Sequence, residues 1–333
     1  MAEDNRKKKQ HYVPQCYLEA WAIPGTHQLH VYDKKLKKQR INNILDVAEE
    51  NYFYDIDLTG ILTKEELGKY GLPDCDPANV DKEQYIENYF SRHIEGDYKK
   101  HLSHIIGRIR EMTLWELKNC FFISEQQKAD FSYHLALQHI RVKAVRNSMI
   151  DSGDCLEQAL TDMGASPELI KKYTVPKTQL PYIHGKMITS RDEIDKIAQS
   201  YFSLAWILQI NRTEQPFFTS DSPITNQPHI HHPFMSMSGL LSKGIEVDFP
   251  VAPDIILTMF DGEYHRAIQK YDRRIIELED IDDITDYNSR CIIHSERCVF
   301  SNNGNFTLVQ DLLKKDPQIL DLPHMIANEI KQL

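Results

Sequence analysis

What this chain lacks narrows its reading. Its 333 residues contain no stretch approaching the ~18 apolar residues of a membrane span, and the charged N-terminus has no apolar segment behind it. The expectation is a soluble, cytoplasmic protein with no membrane partner. Cysteine is sparse: Cys16, Cys75, Cys120, Cys155, Cys291 and Cys298 are scattered without a C-x-x-C pair. Neither a disulfide framework nor a structural zinc site has the spacing it needs, and "CIIHSERC" reads as buried free thiols. The phosphate-binding patterns G-x-x-x-x-G-K-[ST] and G-x-G-x-x-G are missing, which excludes nucleotide binding by those devices. H-E-x-x-H and G-x-S-x-G are missing too. The net charge of −10 opposes nonspecific adhesion to nucleic acid or anionic lipid over most of the surface.

That charge is unevenly placed. "NRKKKQ" and "DKKLKKQR" make the first forty residues basic, whereas "ELEDIDDITD" is acidic. The basic N-terminal region is where nucleic acid would dock; the plainer reading is a solvated charge run. The oligomeric state is not legible.

The hydrophobic pattern predicts an α+β fold. "QLHVYD" and "KQRINN" flank the turn "KKLK" as a hairpin, and "ENYFYDI" reads as a third short strand. Residues 55–79 read as an irregular connection. From Asp81, a candidate cap, to Glu111, apolar residues recur at Ile86, Phe90, Ile94, Tyr98, Leu102, Ile105 and Ile109, the spacing of a one-sided helix. Ser124 and Gln127 form a candidate capping box for a helix running through "EQQKADFSYHLALQHIRVKAVRNSM". Its stripe is Tyr133, Leu137, Ile140 and Ala144, with His134, Gln138 and Arg141 on the adjacent face. "SGDCLEQALTDMGA" and "SRDEIDKIAQSYFSLAW" predict two further helices. "WILQINRTEQPFFTSDSPIT", "VDFPVAPDIILTMFD" and "ERCVFSNN" predict strands, and a last helix starts near Thr307. The expected architecture is a central bundle of about five to seven helices against a small mixed or antiparallel sheet of N- and C-terminal strands. One domain over 1–333 is expected, with an N-terminal arm and hairpin (8–54), a helical region (80–205) and a β-rich region (206–315). "HIHHPFMSMSG" and the following "SKG" read as a long, mobile or lid-like loop.

Several polar residues invite chemistry. In "KKKQHYVPQCYL", Pro14 stiffens the segment, so His11 sits on a rigid presenter as a candidate acid or base. The plainer alternative is that Tyr12, Val13, Tyr17 and Leu18 clamp the N-terminus to the core. Arg141, beside a buried stripe, needs a carboxylate, carbonyl or phosphate for its donors. With Gln138 it forms a phosphate clamp, or it pairs structurally with Glu87, Glu95 or Asp221. Thr219, Ser220 and Asp221 stand at a strand end before Pro223, as turn residues or as a carboxylate presented at a sheet edge. "HIHH" (229–232) is a weak metal candidate. Asn288 and Arg290, placed near the start of the final strand, line the same site or cap it.

In order, "QHYVPQCYLEAWA", "ALQHIRVKAVRN", "PFFTSDSPIT" and "FPVAPDIILTM" resemble the bacterial family catalogued as domain of unknown function number 4238, over nearly the whole chain. Cys16 stands where an aromatic is commoner, and Trp21 where phenylalanine is usual. The resemblance carries no activity, but it implies that His11, Gln138, Arg141 and Asp221 belong together, with Glu87 or Glu95 nearby. On that grouping the expectation is a hydrolase of phosphodiesters, nuclease-like, with a host-defence or toxin role. His11 would be the acid or base, and Gln138 and Arg141 would stabilise phosphorane charge. Asp221 and Glu95 would orient His11 or hold a divalent metal ion, and no other cofactor is legible. Tyr12, Gln15, Tyr17, Thr219, Ser220 and Asn288 would contact substrate. The rival expectation is a noncatalytic binding module whose polar cluster specifies the fold, and a third is transfer chemistry on a small nucleotide-like ligand.

Overall fold

The computed structural model describes residues 6–55, 84–232 and 237–320. The predicted irregular connection and the Asp81 cap lie almost entirely outside these residues, as does part of the His/Pro/Met-rich loop.

The chain begins with β1 (Lys9–His11) and a single turn, α1 (Gln15–Leu18), followed by β2 (Gln28–Asp33), β3 (Lys38–Asn43) and β4 (Glu49–Asn51). β2 and β3 form the expected hairpin, whose tight turn holds Lys37 in the left-handed region at φ 52°. β4 pairs with β1 instead of extending that hairpin.

The long amphipathic stripe folds as predicted, with every one of its seven apolar residues buried. It is divided into α2 (Tyr85–Tyr89), a π-helical segment (Phe90–Ile94) and α3 (Glu95–Glu111). Next come α4 (Leu114–Asn119), α5 (Glu125–Arg141), α6 (Lys143–Asp162), α7 (Pro167–Tyr173), α8 (Leu180–Thr189) and α9 (Arg191–Ser203). Ser124 and Gln127 make both halves of the capping box at the start of α5. The helix predicted to continue past Arg141 breaks at Val142, which is extended (φ −71°, ψ 154°). The break is stabilised from outside: the Ile140 carbonyl, left without the next helical turn, lies 2.7 Å from His184 Nε2 on α8.

The C-terminal region contains β5 (Ala205–Asn211), β6 (Thr219–Ser220), β7 (Thr225–Pro228), β8 (Ile245–Ala252), β9 (Ile255–Phe260) and β10 (Arg274–Leu278). It ends with α10 (Ile281–His294), β11 (Cys298–Ser301) and α11 (Thr307–Lys315). The α+β class holds, but the strands form more than one small sheet. A five-stranded mixed sheet runs β10-β5-β9-β8-β7, with only β10–β5 parallel. A four-stranded antiparallel sheet, β3-β2-β11-β6, joins the N-terminal hairpin to C-terminal strands. All residues of β5, β8 and β9 are buried. On one face of their sheet Phe131 of α5 packs against Trp206 and Phe249; on the other, Ile256 meets Ile284 of α10.

Two helix ends are closed by buried lysines, which satisfy carbonyls that water cannot reach. Lys34 Nζ donates to the Ile292 and Ser295 carbonyls at 2.8 and 2.7 Å, at the end of α10. Lys128 Nζ donates to the Leu204 carbonyl at 2.7 Å, just beyond α9.

Candidate functional site

The opening segment is rigid because both its backbone and its side chains are committed. Gln10 Oε1 accepts from the Tyr54 amide at 2.5 Å, and its Nε2 donates to Asp55 at the same distance. Pro14 then starts α1, and Tyr12, Val13, Tyr17 and Leu18 are all buried. Tyr17 stacks on Phe249 at 5.2 Å and its hydroxyl donates to the Pro250 carbonyl at 2.7 Å. The segment therefore does clamp the N-terminus into the core, and in doing so it carries the His11 ring inward with it.

Arg141 meets it from the end of α5. Nη2 donates to the His11 carbonyl at 2.7 Å and lies 3.4 Å from Glu95 Oε1, while Nε donates to the Tyr54 hydroxyl at 3.2 Å. The guanidinium also lies over the Phe90 ring, 4.0 Å from its centroid. Burial works against its charge, but Tyr54 and Glu95 outweigh that cost and hold its pKa above the ordinary guanidinium value. Of the three carboxylates proposed as its partner, Glu95 is the one in contact. Glu95 opens α3 directly after the π-helical segment, a local register change often found at functional sites. Glu87 instead pairs with Lys7.

The His11 ring is 5% exposed, and Gln138, one turn before Arg141, is 1% exposed. The Gln15 side-chain amide lies 3.3 Å from His11 Nδ1 and fixes the ring's orientation. His11 Nε2 and both polar atoms of Gln138 are buried without a hydrogen-bond partner among the described residues. The same holds for His134 Nδ1 and the Tyr98 hydroxyl, on the facing helices α5 and α3. Tyr98 and His134 stack with ring centroids 5.2 Å apart. Burial, reinforced by Lys7, lowers the His11 pKa to about 4, so the ring is neutral at pH 7. Unsatisfied buried polar atoms are costly and rare, and this concentration of them marks a place where a polar ligand would be stabilised.

The remaining candidates lie elsewhere. Asp221 does not join Glu95, Arg141 or His11. Its carboxylate accepts the backbone amides of Glu296, Arg297 and Cys298 at 2.9, 2.9 and 2.8 Å, tying β6 to the turn before β11. Burial pushes its pKa up to about 6 in spite of these bonds. With its lone pairs so occupied it does not fit the expected divalent-ion site. Among the described residues no group of three or more His, Cys, Asp and Glu side chains is placed to hold a metal. Thr219 Oγ1 lies 2.6 Å from the Tyr17 hydroxyl, and Ser220 Oγ donates to the Ser222 carbonyl at 2.8 Å. Tyr12 packs on Phe53.

Asn288 and Arg290 are on α10, not at a strand start. The helix is hard to see in the sequence because a buried polar residue, Asn288, interrupts the apolar stripe formed by Ile284, Cys291 and Ile292. Asn288 accepts from the Phe218 amide at 2.7 Å and donates to the Pro216 carbonyl at 2.9 Å, so it braces the chain before β6. His229 of "HIHH" bonds Glu246, at 2.5 Å. Sequence reasoning missed Tyr54, Tyr98 and His134 as members of the polar interior. Helical spacing puts His134 on the same face as Gln138 and Arg141, but nothing local signals that Tyr98 and Tyr54 converge there.

Fold and site together define an α+β protein with a partly unsatisfied polar interior where the opening segment crosses two helices. The chain belongs to the family described as protein of unknown function (DUF4238), whose model matches residues 9–305. No curated protein and no solved structure matched the chain.

Proposed function

We propose that this protein is a hydrolase acting on a phosphodiester, with His11 as its general base. The reading rests on His11 Nε2 and the Gln138 amide, which are buried and, among the described residues, unpartnered, with the Arg141 guanidinium fixed on the His11 carbonyl. Gln15 Nε2 faces Nδ1 at 3.3 Å, so the base role requires the Gln15 amide to turn end for end, its oxygen then accepting the Nδ1 proton and leaving the Nε2 lone pair free. Nε2 then takes a proton from water as the water oxygen bonds to phosphorus, the ester P–O bond breaks, and the imidazolium passes that proton to the departing alkoxide, which leaves as the alcohol. The Gln138 NH2 group donates to a nonbridging phosphate oxygen, where a preorganised donor contributes about 3 kcal/mol. Arg141 acts mainly as a positioning residue that holds the His11 carbonyl, and its charge favours an anion beside it. Nucleic acid is the natural substrate class, approached through the basic N-terminal region, with a nuclease-like role in bacterial host defence in the cytoplasm. Among the described residues no helix is long and apolar enough to cross a membrane.

The sealed bonding of Arg141 favours a second reading, a noncatalytic module in which the cluster specifies the fold. Hydrolysis of bis(p-nitrophenyl) phosphate and of single-stranded oligonucleotides separates the two. The expected result is turnover by the wild type, reduced about 100-fold or more in His11→Ala with a nearly unchanged melting temperature. No turnover by the wild type, or full turnover by His11→Ala, would leave the noncatalytic reading.

A further inference from the structure

Arg146, in the first turns of α6, is a guanidinium without a counter-ion among the described residues. It forms no ion pair with a carboxylate among the described residues, and its Nη2 is buried without a hydrogen-bond partner. The carboxylate whose charge reaches it, Glu50, is bound by Lys143 at 2.5 Å. Yet Arg146 is held firmly in place. Its guanidinium carbon lies 3.7 Å from the centroid of the Phe53 ring, and its Nε donates to His184 Nδ1 at 3.2 Å. His184 in turn is fixed, because with Nδ1 accepting, its Nε2–H donates to the Ile140 carbonyl. The donor is thus oriented by a chain of contacts running back to the break between α5 and α6, and one of its faces is already taken by an aromatic ring.

A fixed, partly buried arginine lacking an acid is the arrangement an oxyanion completes, since the planar fork matches carboxylate and phosphate oxygens. Burial without a counter-ion lowers its pKa to about 10, the direction a missing anion produces. We propose that Arg146 is an anion-binding residue, taking a phosphate or carboxylate group of a ligand at a site separate from the His11 cluster. It is linked to that cluster through the Phe53–Tyr54 segment, which carries Arg146 on Phe53 and bonds Arg141 through Tyr54, and through His184, which holds the Ile140 carbonyl beside Arg141. The inference stands whether or not the protein is a hydrolase.

The test is titration of the full-length protein with inorganic phosphate and, separately, with acetate, against sodium chloride at matched ionic strength. Melting temperature and calorimetry are the readouts. Saturable stabilisation of the wild type by at least one of the two anions is expected, and which one responds identifies the oxyanion class. Arg146→Met should bind that anion about ten- to a hundredfold more weakly, the loss expected for a charged hydrogen bond. Arg146→Lys keeps the charge without the fork and guards against a misfolded methionine variant; it should fold and bind at intermediate strength. An absent saturable response in the wild type, or an equal response in the folded variants, would overturn the assignment.

Discussion

Gln138 and Arg141 stand one helical turn apart on α5 and are equally inaccessible, yet their circumstances are opposite. Arg141 has its Nε and Nη2 engaged by a carbonyl, a hydroxyl and a carboxylate, whereas both polar atoms of Gln138 are unpaired among the described residues. Removing a satisfied buried charge strands its partners; removing an unsatisfied amide relieves a penalty. Arg141→Ala should therefore destabilise the protein by about 3 kcal/mol in urea denaturation. Gln138→Met, which nearly conserves volume, should stabilise the ligand-free protein by about 1 kcal/mol while abolishing turnover. A Gln138→Met variant that loses stability would mean that the amide is structurally paired and not held in reserve for a ligand. At this scale the sequence was only half informative. The face shared by His134, Gln138 and Arg141 follows from helical periodicity, a local rule. The partner of Arg141 does not, because the His11 carbonyl and Tyr54 reach it only through the tertiary path of the N-terminal segment. Asp221 misled for the same reason: a carboxylate that ties down three distant amides looks, in sequence, like one presented to a ligand.

Between elements, a densely charged contact joins β8 to α10. Glu246 and Asp248 are two apart on β8 and so face the same side of the sheet. Arg290 Nη1 reaches Glu246 Oε1 at 2.5 Å and Asp248 Oδ2 at 2.9 Å, while Asp286, one turn earlier on α10, takes Nη2. Beside them Gln209 donates to the Tyr287 hydroxyl at 2.9 Å and to Thr258 Oγ1 at 3.1 Å. One guanidinium cannot neutralise two buried carboxylates, so burial and the neighbouring Glu246 raise the Asp248 pKa well above its ordinary 3.8. For an acid raised in the folded state, the folded protein binds the proton more tightly than the unfolded chain. The resulting stability is complete below about pH 4 and is lost as pH rises through the raised value. Asp248→Asn keeps a neutral, Arg-accepting side chain and removes the titration. In urea denaturation its stability relative to the wild type should increase from pH 4 to pH 8; a gap that stays constant would show that Asp248 is already ionised in the folded protein. The strand of this pair was legible from its apolar run, but the helix was not. α8 is equally hard to read, since Pro181 and Gly185 punctuate a segment that packs against α5 and α9. Capping boxes and apolar stripes are local and could be read; helices sustained by tertiary contact could not.

Across the whole molecule, burial is distributed very unevenly, and stability should follow it. Every residue of β5, β8 and β9 is buried, and β11 ties the N-terminal hairpin to the same body of structure through β2. By contrast α6 buries only Ala144 along its length and α7 buries nothing, while Met163, Leu169 and Tyr173 stand exposed. A helix held only near its N-terminus can fray without opening the core, because few apolar contacts are lost when it does. Hydrogen exchange followed by mass spectrometry should therefore divide the chain. Amides of α7 and of the second half of α6 should exchange at least about 100-fold faster than those of β5, β8 and β9, which open only with global unfolding. The β2–β3 hairpin, although close to the N-terminus, should exchange with the slow group on its β11-facing side, because its partner strand comes from the other end of the chain. Uniform protection of α6 and α7 would mean that their exposed apolar faces are covered in solution, and it would redirect attention from the polar interior to that surface.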